Sequence, residues 1–170
     1  DQGFYLGEHG WYDKRWMYEE SFRMPLILRW PGVVAPGTRI PSLVQNIDFA
    51  PTFLAAGGAE SPVDIHGKDM APLFQGDADP PWRKSVYYHY YEKGEHNVPP
   101  HEGVRTERYK LVHFIDQDEW ELFDLEKDPR EMRSVYRDPE YSAILETMME
   151  ELESVKRQYR IPGTRARNRG

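Results

Sequence analysis

The spacing of apolar and polar residues divides the chain into two stretches with different rhythms. In the first, residues 24–30 (Met-Pro-Leu-Ile-Leu-Arg-Trp) form a short apolar run closed by Pro31-Gly32, which predicts a buried strand ended by a turn. Residues 33–41 read as a loop turned at Pro36-Gly37. Asp48 is placed to cap a helix that holds Pro51 in its first turns, carries Phe49, Phe53 and Leu54 as apolar positions, and stops at Gly57-Gly58. Residues 60–64 are a linker, and 68–74 a short helical segment ending at Gly76. Strand, loop, helix and loop in succession are the rhythm of an α/β core.

Across residues 76–82 (Gly-Asp-Ala-Asp-Pro-Pro-Trp) the pattern changes, so the domain boundary is expected there, with residues 1–80 on one side and 81–170 on the other. Beyond it, residues 85–91 are rich in β-formers, and 103–106, 109–114 and 119–125 are further strand candidates joined by short polar turns. Close spacing of this kind predicts an antiparallel sheet. The last element is a helix over about 139–160, with Asp138 as its N-cap and Pro139 at the first helical position. Tyr141, Ile144, Leu145, Met148, Leu152, Val155 and Tyr159 keep helical spacing and form a stripe to pack on the sheet. Glu146, Glu150, Glu153 and Lys156 are left facing outward.

Composition narrows the function. A net charge of −7 offers no basic excess to displace phosphate counterions, which excludes nucleic acid as the partner. The one basic run, Arg165-Ala166-Arg167-Asn168-Arg169, reads as a solvated tail. With no cysteine, disulfides, thiolate metal sites and cysteine nucleophiles are ruled out. No apolar run approaches the ~18 residues of a membrane span.

Candidate chemistry concentrates in the first fourteen residues, which bring together oxygen-bearing side chains, three glycines, a histidine and a lysine. Asp1 and Gln2 beside Gly3 suit a hard divalent cation, because the glycine lets the backbone turn and both side chains offer oxygen. Lys14, a short loop away, suits an oxyanion held by a point charge. His9 lies between Glu8 and Gly10, where it can touch substrate, donate to a leaving oxygen or hold the loop. Trp11, Tyr12, Trp16 and Tyr18 cluster nearby, either as core or as a stacking surface for a sugar ring. A second candidate is the histidine-bearing segment 96–103, placed in a loop between strands. There His96 and His101, five apart and interrupted by two prolines, imply no zinc site. The stretch also starts at residue 1 without a lead-in, so a larger parent protein is expected.

These residues carry a resemblance. Asp1-Gln2-Gly3, Leu6-Gly7-Glu8-His9-Gly10, Asp13-Lys14, Tyr18-Glu19, Arg23-Met24-Pro25-Leu26-Ile27 and Trp30-Pro31-Gly32 resemble the C-terminal half of the formylglycine-dependent sulfatases, members of the alkaline phosphatase superfamily. The likeness continues through Asn46-Ile47-Asp48, Gly67-Lys68-Asp69, the run from Val104 to Leu111, and Leu122-Phe123-Asp124-Leu125-Glu126-Lys127-Asp128-Pro129. It covers nearly the whole chain, and the histidine-bearing loop is most like glucosamine-6-sulfatases and mucin-desulfating enzymes.

The resemblance implies an α/β fold: the C-terminal part of an alkaline-phosphatase-like α/β core, then a small α+β subdomain with an antiparallel sheet and a C-terminal helix. It implies hydrolysis of a sulfate ester, on a carbohydrate or another alcohol, in the periplasm or outside the cell. By the same likeness Asp1 and Gln2 ligate calcium, or magnesium, although many members have Asn at the second position. Lys14 contacts the sulfate, His9 is a catalytic candidate, and His101 or His96 meets a sugar hydroxyl at the pocket rim. The family's nucleophile is a formylglycine made from Cys or Ser in a Cys/Ser-x-Pro-x-Arg motif, and this chain has no such motif. The nucleophile and the family's N-terminal Asp pair are therefore expected in a missing N-terminal part, and the chain alone is expected to be inactive. Two other readings stay open: a fragment of a phosphodiesterase or phosphonate hydrolase of the superfamily, and a non-catalytic binding module.

Overall fold

In the computed structural model, residues 3–74 and 80–162 are described. The chain forms two compact units, one of residues 1–25 with 85–170 and one of residues 26–84. No helix among the described residues is long and apolar enough to cross a membrane.

The first unit is built on a four-stranded sheet in the order β1-β2-β3-β4, with β1 Ser85–Tyr90, β2 His101–Thr106, β3 Tyr109–Phe114 and β4 Glu119–Asp124. All neighbours are antiparallel. Successive residues of a strand point to opposite faces, so register decides what each face carries. Tyr87, Val104, Leu111 and Leu122 are aligned across the four strands. They meet Met148, Leu152 and Val155 of the long C-terminal helix. Burying each of these aliphatic side chains contributes roughly 1.5–3 kcal/mol.

That helix follows a 3-10 turn at Pro139–Tyr141 and runs Ser142–Gln158. Asp138 caps the turn by accepting the Glu140 N–H at 3.0 Å, as its sequence position predicts. One expectation fails on this helix. Lys156 does not face outward but folds its stem onto the sheet, and its Nζ lies 2.6 Å from Glu102 Oε1. Strand β2 also starts two residues earlier than its β-forming residues suggest. His101 and Glu102 already pair with Phe114 and His113, so neighbouring strands override a weak local preference.

The opposite face of the sheet is covered by the N-terminal segment, which includes a short helix, α1 (Glu19–Phe22). Tyr5, Met17 and Tyr18 are buried there against Val112, Phe114 and Phe123. Gly103 makes this approach possible, since a Cβ at that position would sit 2.6 Å from Met17 Sδ.

The second unit holds α2 (Phe49–Ala56) and α3 (Ala71–Phe74). Asp48 was expected to cap α2, but its side chain makes no cap hydrogen bond to that helix. Its fully buried carboxylate accepts Arg83 Nη1 and Nη2 at 2.5 and 2.6 Å and the Gln45 and Lys68 N–H groups at 2.7 and 2.8 Å. A buried charge needs this degree of satisfaction. The segment 68–74 is helical only from Ala71.

The strand expected over residues 24–30 does not form; these residues carry no regular structure and have no ladder partner among the described residues. Leu26 is 44% and Ile27 93% exposed. An apolar run becomes a strand only when another strand is present to take its backbone hydrogen bonds.

Candidate active site

The segment preceding α1 is tied down by its backbone. Gly3 N–H donates to Ser21 O at 3.3 Å, Tyr5 N–H to Asp13 O at 2.8 Å, and Gly7 N–H to Trp11 O at 2.9 Å. Gly3 passes so close to Glu20 that a Cβ would collide with its carbonyl oxygen. The Tyr5 ring is completely buried, and its hydroxyl reaches Trp16 O at 3.1 Å. Folded this way, the loop turns at Asp13.

Asp13 organises that turn. Its Oδ1 accepts the Lys14 and Arg15 N–H groups at 2.5 and 2.7 Å, and its Oδ2 takes Arg15 Nη1 at 2.9 Å. Arg15 then reaches across the unit, with Nη2 2.6 Å from His96 Nε2. Arginine can only donate, so His96 Nε2 is the acceptor and Nδ1 carries the proton. That Nδ1 lies 3.3 Å from Glu92 Oε2, which also accepts the Tyr90 hydroxyl at 2.5 Å. The Tyr90 hydrogen bond holds the Glu92 carboxyl below its usual range, so Glu92 stands ionised and accepts the hydrogen bond from His96 Nδ1–H. From below, the Tyr88 hydroxyl donates to Arg15 O at 2.7 Å. Burial pushes that hydroxyl up to about 12, which keeps it a donor. Asp13, Arg15, His96 and Glu92 thus form one chain of charge-assisted contacts beginning beside Lys14.

The histidines singled out in the sequence part company. His96 joins the Lys14 turn. His101 does not lie in the loop: it opens β2 and is fully buried. Its ring is 5.8 Å from Trp16, 5.6 Å from Tyr88 and Phe114, and 5.7 Å from Tyr90. Its Nδ1 contacts Pro99 O at 2.9 Å while Nε2 has no hydrogen-bond partner among the described residues, and burial lowers its affinity for a second proton. His9 takes a left-handed backbone, φ 54, and its ring stacks on Tyr18 at 4.6 Å and on Trp11 at 5.7 Å. Its Nε2 lies 3.3 Å from Glu20 Oε2.

Of the nearby aromatics, Trp11 and Trp16 stack on each other at 4.0 Å and Tyr18 is buried, which makes these three packing residues. Tyr12 is 75% exposed and meets the Phe4 ring edge-on at 5.1 Å. The metal candidates Asp1 and Gln2 lie outside the described residues. Sequence reasoning missed Asp13, Arg15 and Glu92. The Asp13-Lys14-Arg15 run carried a signal, since an Asp before two N–H groups in a loop makes an Asx turn, but nothing local pointed from Arg15 to His96.

Residues 7–158 match the family model described as N-sulphoglucosamine sulphohydrolase, C-terminal. The chain belongs to that family. It is similar to the N-acetylglucosamine-6-O-sulfatase of Bacteroides thetaiotaomicron, 48% identical over 164 residues that span 94% of this chain and 29% of the relative. The solved structure of BT4656 in complex with its substrate D-glucosamine-2-N,6-O-disulfate superposes with a TM-score of 0.91 at 47% identity, over 96% of this chain and 34% of that one. A phosphonate monoester hydrolase from Silicibacter pomeroyi superposes with a TM-score of 0.79 at 25% identity, over 93% of this chain and 33% of that one. The chain thus spans about a third of the relatives it matches. The resemblance to the C-terminal portion of a sulfatase holds, as does the mixed α/β fold with its antiparallel sheet and C-terminal helix.

Proposed function

We propose that the chain is the part of a carbohydrate sulfatase that grips the sulfate and the sugar next to it, acting on a 6-O-sulfated glucosamine. The observation that carries this reading is the Asp13–Arg15–His96 chain of contacts built against Lys14. Sulfate esters need negative charge neutralised on the sulfuryl oxygens and on the departing alkoxide, and a fixed ammonium such as that of Lys14 does this best in a dry site. Sugar recognition needs donors and acceptors held at fixed angles, which a guanidinium clamped between a carboxylate and an imidazole supplies.

Asp13 and Arg15 are the hydroxyl-binding pair in this reading, and of His96 and His101 it is His96 that contacts the sugar. His101 supports the strand beneath. His9 holds its loop through Glu20 and the flanking rings. Asp1 and Gln2 would hold calcium, whose charge would assist Lys14 in binding the sulfate. The nucleophile, a formylglycine, would come from the remaining part of the enzyme, so the chain alone binds without turnover. The names of the 48% identical relative and of the sugar in the superposed structure support the choice of glucosamine.

A second reading, hydrolysis of phosphonate monoesters, is favoured by the Silicibacter pomeroyi superposition. Assaying an enzyme that carries this chain on 6-O-sulfo-N-acetylglucosamine and on a phosphonate monoester separates the two. Release of inorganic sulfate as the dominant activity supports the sulfatase. A higher specificity constant for the phosphonate ester rejects it.

A further inference from the structure

Arg105 of β2 and Lys110 of β3 are direct cross-strand partners on the face that receives the N-terminal segment. Two cations side by side destabilise a sheet unless carboxylates join them. Lys110 is fully buried, which makes the requirement severe. Two carboxylates answer it, and neither comes from the sheet. Glu19, the first residue of α1, places Oε1 2.8 Å from Lys110 Nζ and Oε2 3.1 Å from Arg105 Nη2. Glu131, in the loop after β4, places Oε1 2.7 Å from the same Lys110 Nζ. Its Oε2 accepts the Glu19 N–H at 2.6 Å. Glu131 is 2% exposed and holds a left-handed backbone, φ 53, a conformation a residue with a side chain adopts at a cost.

The cluster joins three segments far apart in sequence at one point. That point is α1, and α1 is continuous with the turn at Asp13, Lys14 and Arg15. Apolar packing alone would let the covering segment slide along the sheet, whereas a buried ammonium fixed by two carboxylates has one register. Among the described residues, the ion pairs of Lys110 run to Glu19 and Glu131.

We propose that Lys110 and Glu131 are positioning residues, which lock α1 onto the sheet and so set where Lys14 and Arg15 stand. The step from locking to substrate affinity rests on the sulfatase reading; the locking itself does not.

The test uses Lys110→Met, which keeps the length of the stem, and Glu131→Gln, which keeps an acceptor for the Glu19 N–H. The first readout is trypsin cleavage after Lys14 and Arg15 in this chain. The lock predicts cleavage at these two bonds about tenfold faster in both variants, with cleavage after Lys127 unchanged. Equal acceleration at every site would mean general destabilisation and would overturn the proposal. If Lys110→Met does not fold, Glu131→Gln decides on the same readout.

The second readout is kinetics of an enzyme carrying the chain, on a 6-O-sulfated sugar. After normalisation to the folded fraction, kcat should fall about tenfold and KM for the sugar should rise, because Lys14 and Arg15 are displaced together. A fall in kcat in proportion to the folded fraction, with KM unchanged, would overturn the positioning role. If the protease pattern appears but no sulfate ester is hydrolysed even by the unaltered enzyme, the sulfatase reading fails while the lock stands.

Discussion

The Arg15 guanidinium and the His96 imidazole meet at 2.6 Å although 81 residues separate them in sequence. The contact fixes the tautomer of His96 and ties the loop ahead of β2 to the Lys14 turn. In the proposed reading, sulfate and sugar recognition would thereby rest on one continuous piece of structure. Several consequences can be measured.

Lys14→Ala in an enzyme carrying this chain should lower kcat about 10²–10³-fold, the usual cost of removing one donor that meets developing charge. KM should change much less, because the charge grows chiefly in the transition state. Steady-state kinetics on an aryl sulfate checks this, and an unchanged kcat would remove Lys14 from the sulfate site.

The 170-residue chain by itself should release no sulfate above background, since it carries no formylglycine precursor motif. It should also bind calcium weakly, because Asp1 and Gln2, if they are the ligands proposed, would supply only part of a shell of about 6–8 oxygens. Calorimetry with calcium and a sulfate-release assay on the purified chain are the checks. Turnover that follows the chain through purification and vanishes in Lys14→Ala would contradict the first expectation, and a submicromolar calcium constant the second.

His101 makes stability sensitive to acid. Burial holds its folded pKa below the ordinary value of 6.5, so the native state keeps the neutral ring while the unfolded chain takes up a proton near that value. Its contribution is complete above about pH 6.5 and is lost as pH falls from there toward the folded pKa. Urea unfolding at about pH 7.5 and about pH 5.5 should show a loss of stability on the acid side that is smaller in His101→Phe. An identical loss in both proteins would mean that other groups cause it.

Leu152 is 2% exposed in the cluster between the C-terminal helix and the sheet. Leu152→Ala should cost about 2–5 kcal/mol, the range for a buried leucine replaced at a site that cannot collapse. Chemical denaturation measures it. A cost below about 1 kcal/mol would mean that the helix does not pack as described.

The parts of this structure that were legible in the sequence are those whose cause is local. The C-terminal helix announced itself by its apolar stripe and by Asp138, and the strands β1, β3 and β4 by runs of β-formers with short turns.

What was hidden depends on distant partners. Asp48 reads as a helix cap but serves a buried ion pair with Arg83, 35 residues away. Residues 24–30 read as a strand and remain unpaired among the described residues. His96 and His101 look equivalent in sequence, yet His96 stays in the loop and reaches Arg15 while His101 opens β2 and enters an aromatic box. Arg15 itself has no local signature beyond following Lys14.

The central claim is that Asp13, Arg15 and His96 hold the sugar while Lys14 holds the sulfate. The most direct measurement compares specificity constants of the unaltered enzyme and of Arg15→Ala on 6-O-sulfo-N-acetylglucosamine and on a simple aryl sulfate. Losing hydrogen bonds to a buried sugar hydroxyl costs about 1–3 kcal/mol, so kcat/KM for the sugar should fall about 5- to 150-fold. The aryl sulfate, which has no hydroxyl for Arg15 to hold, should lose less than about threefold. Equal losses on both substrates would contradict the sugar-binding assignment and leave Arg15 as a residue that merely shapes the turn.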